Sequence, residues 1–368
     1  MTQLRRLAVV TIARLGALAL IVAPGITGAG LAIAASTAPV ATLAAAPSVS
    51  RVIYTADEKG GSISMIDLDS GRVETTAVPI MPHNVQISAD GKLLYAVGTG
   101  MAMAGMAGGQ SMGTEGMGGK LLILDSYSPA DGAIADIAVG PHPAHVVVDK
   151  DGTFAYVTDS EESAVQMIDL AAKQVTRSTA TGAYPHGLRL SPDGRELYVA
   201  NLKDGSVSVV DVASFAEVAR IKLGKAPAQV GFTPDGSKVF ISLNGENKVA
   251  VVDRATRQVV QKLPVGRNPV QVYATPDGRY VYVANQGTEQ NPDSTVSVID
   301  VPASKVVATV TTGKGAHGVV VSDDGKFAFV TNIVDGTVSA LDTATQTAVR
   351  SFKVGAGPNG ITYRGEAE

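Results

Sequence analysis

The chain has no cysteine and no tryptophan in 368 residues. Without thiols there are no disulfides and no thiolate metal sites, so stability must come from packing. Any bound metal would be held by imidazole, carboxylate or thioether groups. Aromatic residues make up only 5%, so the core has to be built mainly from aliphatic side chains. Basic residues do not dominate: 30 Lys and Arg stand against 34 Asp and Glu. That balance lacks the positive surplus that binding a phosphate backbone requires, and no nucleic acid partner is expected. The sequence contains no Walker loop, dinucleotide fingerprint, nucleophile elbow or zinc-protease helix. Histidine is scarce at five residues, which makes the position of each one informative.

The first 35 residues differ from the rest. Arg5 and Arg6 precede a long Ala-rich apolar stretch, interrupted by Arg14 and by Pro24-Gly25, and Ala32-Ile33-Ala34 offers small residues for cleavage. Residues 1–35 therefore read as a secretory signal, with an uncleaved membrane anchor as the rival. No cysteine follows that could carry a lipid. Residues 36–50, rich in Ser, Thr, Ala and Pro, read as a disordered spacer. The expected address is periplasmic or secreted, with membrane contact only if the leader is retained. Its removal takes away three arginines and no acid, moving the net charge from −4 to −7.

From residue 51 onward the chain repeats. Asp-Gly recurs at Asp90-Gly91, Asp151-Gly152, Asp193-Gly194, Asp235-Gly236, Asp277-Gly278 and Asp324-Gly325, and three successive spacings are 42 residues. An aspartate closes a β-branched run at Asp67, Asp125, Asp169, Asp211, Asp253, Asp300 and Asp342. Each period holds four short apolar runs bounded by turn residues, hence four strands and no helix. A four-stranded unit of about 40 residues is the period of a propeller blade. One such sheet cannot cover both of its faces, whereas seven in a ring cover one another. The expected fold is all-β: a seven-bladed β-propeller of four-stranded antiparallel blades over residues 51–368. Its strands are labelled a to d from the channel outward. The chain starts on strands b, c and d of blade one and ends on a lone strand a, Asn359–Tyr363, so the C-terminal strand is expected to close the first blade.

Tyr198-Val-Ala-Asn201, Tyr282-Val-Ala-Asn285, Phe329-Val-Thr-Asn332 and Tyr156-Val-Thr-Asp159 resemble the signature of the YVTN-repeat β-propellers. The resemblance extends from Arg51 to the C-terminus. It implies the propeller fold but not one activity, because the family holds binding proteins, surface proteins and lactonase-like relatives. Related cytochrome propellers hold noncovalent haem, which would use the same histidines.

Two features break the period. In blade two, Asp-Gly spacing grows to 61 residues through a Met- and Gly-rich insertion at residues 98–119, between strands b and c. It carries five of the nine methionines: Met101, Met103, Met106, Met112 and Met117. Loops this long within compact domains are usually functional or disordered. Thioethers on a flexible backbone select soft Cu(I). The competing readings are an inert Gly-rich linker and a sticky patch for a protein partner. In blade six, Gln286–Asp293 is read as a solvated loop.

The second feature is an arc of histidines where strands a begin. The starts read Pro82-His83-Asn84, Pro143-Ala144-His145, Pro185-His186-Gly187, Pro227-Ala228-Gln229, Pro269-Val270-Gln271, Ala316-His317-Gly318 and Pro358-Asn359-Gly360. His83, His186 and His317 occupy equivalent positions, and His145 sits one residue later. A one-residue offset in a regular strand reverses side-chain direction, so the direction of His145 stays open. The d–a and b–c turns share a face in a propeller, which places these imidazoles and the Met-rich insertion at one channel mouth. His142 lies in the adjoining loop. Asp57-Glu58 and Glu161-Glu162 also fall on that face and are read as exposed acidic turns.

The expectation is an exported, non-catalytic binding protein with a metal or small-ligand site at the channel mouth. Copper is the specific candidate, held by His83, His145, His186 and His317 with the five methionines. A lactonase-like or oxidoreductase-like propeller enzyme and a protein-interaction scaffold are the alternatives.

Overall fold

In a computed structural model, residues 51–101 and 118–365 are described. The leader, the spacer and Met103, Met106, Met112 and Met117 lie outside the described residues. Each repeat forms one antiparallel sheet of four strands, and there are seven such sheets. Blade four shows how the sequence does this. Its strands are Pro185–Leu190, Glu196–Asn201, Ser206–Asp211 and Ala216–Lys222. Strands a and b are joined by the Asp-Gly turn, where Gly194 has φ +69° and donates its N–H to the Ser191 carbonyl at 2.8 Å. A side chain there would strain the backbone, which explains glycine at this place in every full repeat.

The b and c strands are apolar on both faces because each is buried on both. Tyr198 and Ala200 pack toward blade five, while Leu197 and Val199 pack toward blade three. The described residues form seven such clusters, one in each gap between neighbouring blades. The d strands lie at the rim, and Gln174–Ala180 and Gln258–Pro264 are largely exposed. The ring closes as expected. Pro358–Arg364 pairs antiparallel with Val52–Asp57, with Val52 opposite Arg364, and completes blade one.

The turns fall on two faces. On one face the strand-c aspartates cap the c–d turns: Asp211 Oδ1 accepts from Ser214 N–H at 2.7 Å, and Asp253 Oδ1 from Thr256 N–H at 2.8 Å. On the other, b–c and d–a turns meet, with Ser160 N–H donating to the His142 carbonyl at 2.9 Å and Glu58 N–H to the Gly357 carbonyl at 3.0 Å. The b-strand asparagines hold this second face together. Asn201 Nδ2 donates to Ser206 Oγ and Ser208 Oγ at 3.0 and 2.9 Å, and Asn332 does the same to Thr337 and Ser339. Among the described residues no helix is long and apolar enough to cross a membrane.

One irregularity positions the site. Where strand a begins, its register against strand b shifts, between Pro143 and Val146, Pro185 and Leu188, Pro227 and Val230, and Ala316 and Val319. Two residues of strand a there face one of strand b, which is a β-bulge. Regular alternation is suspended at the residues that carry the histidines.

Candidate metal centre at the channel mouth

His83, His145 and His186 come from three consecutive blades and converge. Each offers one ring nitrogen, and the three nitrogens lie within 4.8 Å of one another. The ring centroids are 5.6 Å apart for His83 and His145, 5.2 Å for His83 and His186, and 4.9 Å for His145 and His186. His83 is in blade two and His186 in blade four, so their contact skips a blade and is made across the channel. The bulge resolves the direction of His145. Its offset does not turn it away, and it is fully buried beside the other two rings.

The hydrogen bonds constrain two of the tautomers. His83 Nδ1 lies 3.1 Å from Glu58 Oε1, which only accepts, and 3.1 Å from Asn359 Nδ2, which only donates; the charged carboxylate is the stronger partner, and donating to it places the proton on Nδ1. His186 Nδ1 likewise donates to the Ala228 carbonyl at 3.1 Å. Both Nε2 atoms are then bare in the neutral rings, yet they face each other at 3.2 Å. Two lone pairs at that distance repel unless a cation, either a proton or a metal ion, lies between them. The third ring differs. Gln229 Nε2 is 3.3 Å from His145 Nδ1, while Gln229 Oε1 accepts from Val230 N–H at 2.9 Å. In this arrangement His145 Nε2 carries the proton and has no partner although buried. Turning the Gln229 amide over would let Nδ1–H donate and free Nε2 for a metal.

Protonation is disfavoured at most of these rings. Burial, then the charges of His186 and His83, push His145 well below the usual histidine range. Burial, then His83, bring His186 down to about 3 and His317 down to about 4. Burial opposes the ionisation of Glu58. The charge of His83 and hydrogen bonds from His83 and Asn359 outweigh it and hold Glu58 at about 2. Asn359 Nδ2 donates to Glu58 Oε2 at 2.7 Å, so blade one clamps the carboxylate that orients His83.

Glu58 corrects the reading of Asp57-Glu58 as an exposed acidic turn. It sits on a short 3-10 turn, Glu58–Gly60, and its side chain is only 30% exposed. A signal was present. At the position of Glu58, just after the residue matching Asp57, the other repeats have Thr99, Ser160, Leu202, Asn244, Gln286 and Ile333, and only blade one has an acid. Glu161 and Glu162 do remain exposed. Glu161 lines a shallow hollow of about 370 Å³ with His142, Tyr184 and Lys203, away from the three-ring cluster.

His317 is not one of the three converging rings. It is buried, and its Nδ1 donates to the Asn359 carbonyl at 3.3 Å. Met101 is 42% exposed. Its Sδ packs on Gly61, where an added Cβ would lie 2.7 Å away. It therefore covers the turn that carries Glu58, on the face predicted for the insertion.

The fold and the channel mouth together define a seven-bladed propeller with a polar, histidine-rich channel end. The chain belongs to the YNCE-like beta-propeller family, whose profile matches residues 137–367. It is similar in fold to hydrazine synthase from Kuenenia stuttgartiensis, with 21% identity, a TM-score of 0.65, and coverage of 80% of this chain and 97% of that one. A Bacteroides fragilis protein provisionally named a 6-phosphogluconolactonase is 14% identical with a TM-score of 0.69, over 86% and 98% of the two chains. A protein of unknown function from Desulfotomaculum acetoxidans has the same identity and TM-score over 85% and 98%. No curated protein sequence matches the chain. These likenesses concern the fold.

Proposed function

We propose that this protein is an exported propeller that binds one transition-metal ion at its channel mouth through His83, His145 and His186, with copper as the specific candidate. The observation that carries the reading is the pair of bare Nε2 atoms facing each other at 3.2 Å, each with its Nδ1 already committed. Ligands at 2.0–2.1 Å on a tetrahedral ion lie about 3.3–3.4 Å apart, close to that separation. The Nδ1 partners, a carboxylate and a carbonyl, are those that metal-bound histidines usually have. Support for copper over zinc comes from the sequence: the insertion of blade two supplies thioethers beside a set of imidazoles, and thioethers favour Cu(I). The insertion would collect the ion and the imidazoles would hold it.

Metal analysis of the purified chain after separate loading with Zn(II), Cu(II) and Cu(I) tests this. The expected result is one ion per chain, lost in the folded H83A/H145A/H186A variant. Replacing all five insertion methionines by leucine should lower uptake of Cu(I) but not of Zn(II). Metal uptake that survives the triple substitution contradicts the site. Unchanged Cu(I) uptake in the leucine variant removes the copper assignment alone.

An enzymatic reading uses the same residues, because three protein ligands leave a fourth position for water or substrate. Turnover of a lactone panel by the metal-loaded protein tests it, with turnover lost in H186A as the supporting result.

A further inference from the structure

Arg189 lies three residues beyond His186 on the same strand, Pro185–Leu190. Its guanidinium carbon sits over the Tyr273 ring, 5.9 Å from the centroid. Arg189 belongs to blade four and Tyr273 to blade six, so this contact also skips a blade and spans the channel. Among the described residues the guanidinium makes no hydrogen bond or ion pair. The contrast with other arginines is plain: Arg254 bonds both Asp193 and Glu196, and Arg364 bonds Ser126. A guanidinium has five donors and cannot shed its charge in a protein, so the half-buried fork of Arg189 is left open to water or to a bound anion.

Along its strand Arg189 stands between His186 and the a–b turn at the opposite end of the channel. At the opposite end a cavity of about 1190 Å³ reaches Tyr273 and is lined by charges of both signs, Asp90, Asp149, Asp323 and Asp324 with Arg51, Lys92, Lys150, Lys326 and Arg364. Two of the lysines there are paired to turn acids, Lys92 to Asp90 and Lys326 to Asp324. The unpaired guanidinium of Arg189, three residues from His186, therefore marks the place for an anion. Three residues of strand span at most roughly 10 Å, and the arginine side chain shortens that distance, so a ligand reaching both groups is limited to a few heavy atoms.

We propose that the channel binds a small carboxylate beneath the three imidazoles, with the guanidinium of Arg189 gripping one end of it. The fork of Arg189 matches the two oxygens of a carboxylate, and Tyr273 holds the fork in place. The deeper version, in which one carboxylate oxygen also fills the open position on the ion, rests on the metal reading above. The Arg189 site itself does not.

Acetate is the probe. In cobalt-loaded protein, acetate should perturb the visible Co(II) bands and saturate. R189M should keep cobalt stoichiometry while binding acetate at least tenfold more weakly, and R189K should fall between. Equal acetate affinity in wild type and R189M overturns the proposal, and unresponsive Co(II) bands in the loaded wild type overturn coordination of the acetate to the ion. If cobalt fails to load, the metal reading falls, and the Arg189 side-chain N–H signals in metal-free protein decide the remainder. A saturable shift with acetate supports the anion site, and unmoved signals overturn it.

Discussion

At the scale of single residues, burial disfavours the charged form of His145, His186 and His317. His317 is 5% exposed and its pKa is brought down to about 4 by burial and then by His83. Unfolding returns it to the ordinary histidine value near 6.5, so below that pH the unfolded chain binds the proton that the folded one refuses. Stability should therefore be complete above about pH 6.5 and fall as pH drops toward 4. Between pH 6.5 and 5 this histidine alone should cost about 1–2 kcal/mol. Urea midpoints of metal-free protein across this range check it, and H317Q should show a shallower slope than the parent. A parallel slope would mean that His317 already titrates normally. The scarcity of histidine made these residues legible in the sequence. Glu58 was passed over because an acidic pair in a turn usually faces solvent, and its buried partner lies 25 residues along the chain, in the next blade.

At the scale of the strand, the bulge that opens each strand a does what a regular ladder could not. Regular alternation would have sent His145 away from His83 and His186. With two residues facing one, polar side chains from either position reach the channel. The sequence shows how neighbours share that space: where the second position is polar the third is often glycine, as in His186-Gly187 and His317-Gly318, and where the third is polar the second is small or aliphatic, as in Ala144-His145 and Ala228-Gln229. Gly187 gives the reason. A Cβ there would lie 2.3 Å from Gln229 Oε1 and 2.5 Å from the Ala228 carbonyl oxygen, the acceptor for His186. G187A should thus destabilise the fold by about 1–3 kcal/mol and weaken metal binding by displacing Gln229 from His145. Denaturant melts with metal titration test both effects. A variant as stable as wild type, with unchanged affinity, would show that the neighbour yields freely. The apolar b strands and the Asp-Gly turns were plain in the sequence because both faces of each strand are buried and each turn needs positive φ. The bulge was not, since it adds no residue to the period and leaves no mark on composition.

At the scale of the whole molecule, closure of the ring turns remote sequence positions into neighbours. His83 and His186 are 103 residues apart and Glu58 and Asn359 are 301 apart, yet both pairs are within hydrogen-bonding distance. The number of blades and the closing strand could be counted from the repeat alone. The convergence of three rings could not, because it depends on blades meeting across a channel narrow enough for imidazoles to touch. The most direct test of that convergence is X-ray absorption on the zinc-loaded protein. The account predicts a first shell of about three nitrogen scatterers near 2.0–2.1 Å with the outer-shell pattern of imidazole. A sulfur shell near 2.3 Å, or a shell of oxygens without imidazole scattering, would contradict it.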